Sequence, residues 1–459
     1  GSTYYVDPNG SNQYAGTDRE KPKATIAAAI AAATPGTDIV EASGGTYTEN
    51  LTIPDDLTLY APTVVLSGAQ TVGVGCRIEV GDLVAIAGQT SITVSGTGHT
   101  DVSAHHINLT GNALGVLATA NSEMILSVEL MELENGVGMG SFTGITGHLH
   151  GNITHAELQG TGWLAITAAG GSLHATIESV EETGAGVGAG TVANCLGGTM
   201  NLWGLQWEAK NIALVPAGAA YITCENAVGA VNVSAGATLT YHGGKLTGNI
   251  ANAGTLHGQN CELAGDLTLT GASVTSFAGG ITGDVTLTGT SVATMRGDIT
   301  GDLDVADGCT LTVRGDVTGN VETNTSGTII IYGRLTGTIS GTGTLRVVSD
   351  RLQGMQSGGG TARTVNEYDI LTTDVVPHII DANGGAVELN LPTAAAWIAA
   401  NPDLPFIRIT AIDISNAATV DPNGTEVIND GAAGAVYTFG TAYDSIDLYP
   451  IAGTGWVIR

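Results

Sequence analysis

The chain has 459 residues, a formal net charge of −29, 68 Gly, only 12% charged residues and 5% aromatics. So few Lys and Glu argue against long surface helices, while abundant Gly, Thr and Val argue for many short strands joined by tight turns. The negative charge excludes nucleic acid and anionic membrane as expected partners, because both are polyanions. No apolar run approaches the ~20 residues needed to insert across a bilayer, and no signal peptide is read. Gly1-Ser2 reads as a remnant of tag removal, with the natural chain expected to extend upstream.

The first stretch, STYYVDPNGSNQYAGTD, predicts a strand followed by a turn-rich loop. KATIAAAIAAATPG then places Ile26 and Ile30 on one helical face, and Pro35-Gly36 stops the helix. Short strands with Gly or Pro-Asp turns follow, so the helix suits a lid over the open end of a stack. Five cysteines (76, 195, 224, 261, 309) form no C-x-x-C pair and read as small buried hydrophobes. Residues 1–60 are taken as the N-terminal cap and first rungs.

Between residues 98 and 215 a long period emerges. Ile107-Asn108-Leu109, Met131-Glu132-Leu133, Ala156-Glu157-Leu158, Val180-Glu181-Glu182 and Trp207-Glu208-Ala209 align with one another at near-constant steps. Upstream of each anchor stand two mostly apolar columns, Thr100/Met124/Leu149/Leu173/Met200 and Ala104/Val128/Ile153/Ile177/Gly204. A strand alternates sides every residue, so these columns are predicted to face inward and the positions between them outward. Residues 61–245 are therefore expected to form a parallel β-helix of long, about 24-residue rungs.

Further on, Leu263-Ala-Gly-Asp-Leu267 returns as Ile281-Thr-Gly-Asp-Val285, Ile299-Thr-Gly-Asp-Leu303, Val317-Thr-Gly-Asn-Val321 and Leu335-Thr-Gly-Thr-Ile339, always at the same interval. Leu246-Thr-Gly-Asn-Ile250 stands one slightly shorter step before the first of these. Residues 246–350 are expected to be compact, about 18-residue rungs, with the two apolar residues and Gly facing in and Thr and Asp or Asn facing out or turning. Arg296-Gly297-Asp298 and Arg314-Gly315-Asp316 spell an adhesion tripeptide, but their recurrence at one rung corner reads as Gly turns. A Gly-rich linker is expected at 351–365, and the turn spacing over 366–459 predicts a C-terminal antiparallel β-sandwich.

The aligned rungs place Glu132, Glu157, Glu181 and Glu208 in one column. Neighbouring rungs lie about 4.8 Å apart, so these carboxylates would repel one another or invite a cation. Glycosidases need an acid and a second carboxylate about 5–10 Å apart. Glu157, Glu181 and Glu208, with Glu178 beside them, are thus the candidate catalytic residues of a glycoside hydrolase; the plainer alternative is a solvated acidic face. His150 and His174 share one outward position, Asn152 and Trp203 lie on the next, and His155 precedes Glu157 by two residues. Trp203 presents an aromatic face for stacking on a sugar. Trp203, His150, His174, His155, Asn152 and Glu132 are the candidate glycan-binding residues. No zinc-type His/Cys spacing and no P-loop is present, so no metal and no cofactor are expected.

YYVDPNG, ATIAAAIAAA, GGTYTENLTIP and LTLYAP resemble the beginning of proteins in the pectate-lyase-like superfamily of right-handed parallel β-helices. The compact half is similar to the bactofilin-type repeat. NGGAVELNLP and YDSIDLYPIAGTGWVIR look like the small C-terminal β-module of phage tail fibres and tailspikes. The resemblance implies an all-β fold, a right-handed parallel β-helix with a short capping helix and a C-terminal β-sandwich. It also implies a virion protein of a bacteriophage tail, a homotrimer that joins other virion tail proteins through a missing N-terminal region and meets a bacterial surface polysaccharide. Two readings stay open: a tailspike that binds and hydrolyses the polysaccharide, and a non-catalytic fibre or adhesin that presents a binding tip. Pectate-lyase chemistry uses Ca²⁺ held by Asp and an Arg base. No Arg lies between Arg77 and Arg296, so the lyase reading is set aside in favour of a neutral or amino-sugar polymer.

Overall fold

The computed structural model describes residues 1–85, 88–94, 96–111, 114–118, 122–135, 137–141, 148–167, 171–183 and 190–347. Beyond these it describes 352–353, 356–357, 366–369, 378–381, 387–400, 406–413, 417–429, 432–441, 444–451 and 454–458. The chain divides into two compact units, Gly1–Cys261 and Glu262–Arg459.

In the first unit, strand Thr3–Val6 pairs in parallel with Ile39–Ala42, which pairs in parallel with Thr58–Ser67. The expected lid is helix Ile26–Ala32. Thr25 caps it by accepting from the Ala28 N–H, and the Glu49 carboxylate accepts from the free N–H groups of Ile26 and Ala27 at 3.0 and 2.9 Å. Ile26 and Ile30 are both buried, as their i,i+4 spacing requires.

The long rungs follow, as strands Gly98–Thr110, Ser122–Glu134, His148–Gln159, Ser172–Glu182, Thr199–Val215 and Ala219–Val233. Each pairs in parallel with the next, and the register is the one read from the sequence: Met131↔Ala156, Ala156↔Val180 and Val180↔Trp207. Met124, Leu149, Leu173, Met200, Ile153 and Ile177 are all fully buried. Each such side chain contributes about 1.5–3 kcal/mol by leaving water, and this inner stripe is what holds the rungs in register. Shorter strands Leu114–Ala118, Val137–Ser141, Trp163–Thr167 and Thr191–Cys195 form another side of the same rungs, also in parallel. The architecture is all-β and parallel, β-helix-like, with the core inside the coil.

The long strands are bent. Their in-out alternation breaks where two consecutive residues both avoid the core: His105-His106, Glu129-Leu130, Thr154-His155, Glu178-Ser179, Leu205-Gln206 and Glu225-Asn226. A strand that keeps its core on one side must turn at such a pair. Stacked rung on rung, these pairs form a corner running along the solenoid. All five cysteines are buried, and burial pushes the Cys224 thiol up to about 12.

In the second unit each compact turn is built from three short strands, such as Ile281–Thr282, Val285–Leu287 and Val292–Met295. They pair in parallel with Ile299–Thr300, Leu303–Val305 and Thr310–Val313 one turn on. Ile281, Val285 and Leu287 are buried and Thr282 and Asp284 exposed, as expected. The Gly differs from expectation. Gly283 is half-buried at the corner, at φ 150°, where an added Cβ would meet the Gly265 carbonyl oxygen at 2.2 Å. It is Gly because the turn needs that backbone and leaves no room.

The C-terminal region departs from the antiparallel expectation. Its described strands form a six-stranded and a four-stranded sheet, and most of their pairings are parallel. Antiparallel pairing joins Ile407–Asp413 to Asp444–Ile451, Asp444–Ile451 to Gly455–Ile458, and Ala418–Asp421 to Tyr437–Thr438. From Asn366–Asp369 to Tyr437–Thr438 successive strands alternate between the two sheets. Parallel neighbours need a crossover, and here each crossover carries a strand of the opposite sheet, the same device as in the solenoid. Of the expected linker 351–365, only residues 352–353 and 356–357 are described, as short strands.

Candidate functional site

The first side of the long rungs, before the corner, carries two outward columns. One runs Ile125↔His150↔His174↔Asn201↔Tyr221 and the other Ser127↔Asn152↔Thr176↔Trp203↔Thr223. Strict alternation with the buried column Met124/Leu149/Leu173/Met200 sends every one of these side chains away from the core. Gly151, between the columns, has no room for a side chain on its inner side, where a Cβ would lie 2.5 Å from the Met139 sulfur.

Two hollows result. One, of about 380 Å³, is lined by His150, Gly151, His174, Asn201, Trp203 and Tyr221 among others. The second, of about 220 Å³, is lined by Glu123, Ile125, His150, Gly151 and Asn152. They share His150 and Gly151, so they adjoin across the rungs. Trp203 is 41% and Tyr221 46% exposed, so both aromatic side chains have surface open to a ligand.

The imidazoles are arranged in relation to one another. The His150 and His174 rings lie 5.4 Å apart between centroids, tilted by 32°. Asn201 Nδ2 stands 3.3 Å from the His174 ring nitrogens. Burial, with the neighbouring His150 and His148 adding to it, holds His174 below the ordinary histidine range, so its neutral form is favoured. His150 Nε2 reaches toward Glu123 Oε1 at 3.6 Å, and His148 hydrogen-bonds Ser172 on the next rung.

The proposed catalytic column lies elsewhere. Glu132, Glu157 and Glu181 do stand in register on successive rungs, and Glu208 follows Trp207, the partner of Val180. All four come after the corner, on the second side, while Glu178 sits on the corner itself. Neither hollow is lined by Glu132, Glu157, Glu178, Glu181 or Glu208. Glu132 already accepts from Asn108 Nδ2 at 2.7 Å and contacts His106 Nε2 at 3.0 Å.

His155 is also on the corner, away from the hollows. Its Nδ1 lies 2.7 Å from Ser179 Oγ and its Nε2 3.8 Å from Glu157 Oε1. A Ser-His-Glu line of this kind suggests an activated nucleophile. The Ser179 hydroxyl, however, donates to the Thr154 carbonyl at 3.1 Å, and the His155–Glu157 separation exceeds a hydrogen bond. The line holds the corner together.

The hollows therefore unite His150, His174, Asn152 and Trp203 from the sequence-derived set, and leave His155, Glu132 and the four catalytic candidates outside. Glu123, Ile125, Asn201, Tyr221 and Thr223 were missed. Carrying the long period one shorter step past Trp207 would have found Tyr221 and Thr223 as partners of Asn201 and Trp203. The side chains present offer stacking faces, amides, imidazoles and hydroxyls without a Lys or Arg, a set that suits polyhydroxylated, uncharged or cationic ligands. No family model, curated relative or solved structure matches the chain.

Proposed function

We propose that the chain is a carbohydrate-binding solenoid of the tailspike type, which holds a bacterial surface polysaccharide against the first side of its long rungs. The observation that carries this reading is the pair of adjoining hollows walled by Trp203, Tyr221 and the stacked His150 and His174. An aromatic wall supplies an apolar face for the C–H side of a pyranose, and the amides and imidazoles around it serve the hydroxyl edge. The virion location, the homotrimer, the right-handed coil and the C-terminal sandwich belong to the same proposal and rest on the resemblance of the chain's ends to phage tail proteins.

The reading is one of binding without cleavage, since the catalytic candidates Glu157, Glu178, Glu181 and Glu208 line neither hollow. Titration calorimetry with a panel of purified capsular polysaccharides, together with adsorption to the cells that carry them, tests it. Trp203→Ala and Tyr221→Ala should each weaken binding at least ~10-fold, the loss expected from a stacking contact plus its buried area, while Glu157→Gln binds as the unaltered chain does. Equal binding by both aromatic variants would sink the proposal. Hydrolysis is the second reading, supported by the register of Glu157 and Glu181 on adjacent rungs, about 4.8 Å apart and close to the spacing of a retaining pair. It requires reducing ends that appear with the unaltered chain and vanish with Glu157→Gln.

A further inference from the structure

The two hollows differ in chemistry, and the difference is directional. From Ile125 to Tyr221 the outward column crosses five successive strands. Four steps of about 4.8 Å make ~19 Å, which suits a run of several sugars laid along the stack rather than a single one. At the far end stand Asn201, Trp203, Tyr221 and Thr223, aromatic and uncharged. At the near end stands Glu123, with Ile125 and Asn152.

Among the described residues, Glu123 is the one carboxylate lining either hollow. Its nearest charged-type neighbours are two imidazoles, His150 Nε2 at 3.6 Å and His99 Nδ1 at 3.8 Å. Both separations exceed a hydrogen bond, so its oxygens keep acceptor capacity at the near hollow. No described Lys or Arg lines either hollow to offset it, and the chain as a whole carries −29. A uronic acid placed there would meet like charge, whereas an ammonium group would be attracted and hydrogen-bonded.

Building on the glycan-binding reading above, we infer that the groove takes a glycan strand along the stack with an amine-bearing sugar on Glu123 and an uncharged sugar ring on Trp203 and Tyr221. The far hollow then provides most of the stacking energy, and the near hollow selects for the free amine.

Calorimetry on the full chain with three tetrasaccharides tests this: the fully de-N-acetylated chitotetraose, its fully N-acetylated form, and tetragalacturonate, at a pH where the amine is protonated. The amine form should bind at least ~10-fold tighter than the acetylated form, and tetragalacturonate should bind least. Glu123→Gln should bring the amine-over-acetyl affinity ratio to near one, whatever its effect on the acetylated form, and Trp203→Ala should weaken both. Glu123 is one of 43 acidic residues, so diffuse attraction of a cation to the chain survives Glu123→Gln and selection at this site does not. Equal affinity for the two chitotetraoses, or a preference that persists in Glu123→Gln, overturns the inference while leaving the glycan-binding reading intact. Tetragalacturonate binding best overturns it also. If no tetrasaccharide responds to Trp203→Ala, both the inference and the reading beneath it fail.

Discussion

Trp203 and Trp207 are separated by an even number of residues, which on an unbroken strand would put both on one side. They lie on opposite sides because the exposed pair Leu205-Gln206 turns the chain between them. Trp207 is fully buried and its indole donates to the Ile177 carbonyl at 2.8 Å. Its bulk explains Gly204, the one Gly in a column of Ala104, Val128, Ile153 and Ile177: a Cβ there would lie 2.2 Å from Trp207 Nε1. His174 makes a measurable prediction at this scale. Its pKa in the folded chain is lowered, first by burial and then by His150 and His148, below the ordinary value of about 6.5 that it regains on unfolding. The unfolded chain therefore takes up this proton at higher pH than the folded chain does. Its contribution to stability is fully present above about pH 6.5 and declines as the pH falls from there through the folded value. Thermal midpoints measured from pH 8 to pH 5 should fall less steeply for His174→Gln than for the unaltered chain. Parallel curves would refute the assignment.

At the scale of the element, the compact turns hold themselves by ladders of exposed side chains. Asp266 Oδ1 accepts the Asp284 N–H, Asp284 the Asp302 N–H, and Asp302 the Asn320 N–H, at 3.0, 2.8 and 2.7 Å. A second ladder passes through both adhesion-like tripeptides. Asp298 accepts the Asp316 N–H, Asp316 accepts the Arg334 N–H, and the Arg314 guanidinium lies 5.6 Å from the Tyr332 ring centroid. The Asp of each tripeptide is bonded to the backbone of the next rung's corner, which supports reading them as turns. Gly301 sits beside the first ladder at φ 156°, with a would-be Cβ 2.1 Å from the Gly283 carbonyl oxygen. Gly301→Ala should therefore destabilise the compact turns by about 1–3 kcal/mol, read as a lowered midpoint in denaturant. Asp302→Asn keeps an acceptor oxygen and should unfold near the unaltered midpoint. An unchanged midpoint for Gly301→Ala would show that the turn tolerates a side chain.

At the scale of the molecule, the rungs of each unit are built on parallel pairing, where a strand takes its partner from the next turn of the chain. Such a stack has edges along its length only at its ends, so the surface is set by what the outward columns carry. Several of these side chains are apolar and exposed, among them Val274 and Val292 in adjacent turns. A homotrimer that packs solenoids side by side would cover surfaces of this kind. Light scattering should then give a mass three times the 46.1 kDa of one chain, and a value of one chain would dismiss the trimer.

Sequence alone determined the class of fold, the two rung lengths, and the register down to single pairs such as Met131↔Ala156. It could do so because a strand in a parallel stack repeats its inward residues at the same phase in every turn, and burial leaves that phase visible as apolar columns. It also marked Trp203, His150, His174 and Asn152 as outward and close together. Tertiary structure decided the rest. The corner at Thr154-His155 and Glu178-Ser179 separates Glu157 and Glu181 from the hollows, although they are near His150 and His174 in the chain. The stacking of the rungs sets Glu123 and Tyr221 on one side, in adjoining hollows, and parallel pairing joins most of the described C-terminal strands where turn spacing suggested an antiparallel sheet. A linear pattern encodes which residues face the core, because that depends on hydrophobicity. It does not encode which outward residues share a concavity, because that depends on where the chain bends and on which strands close beside it.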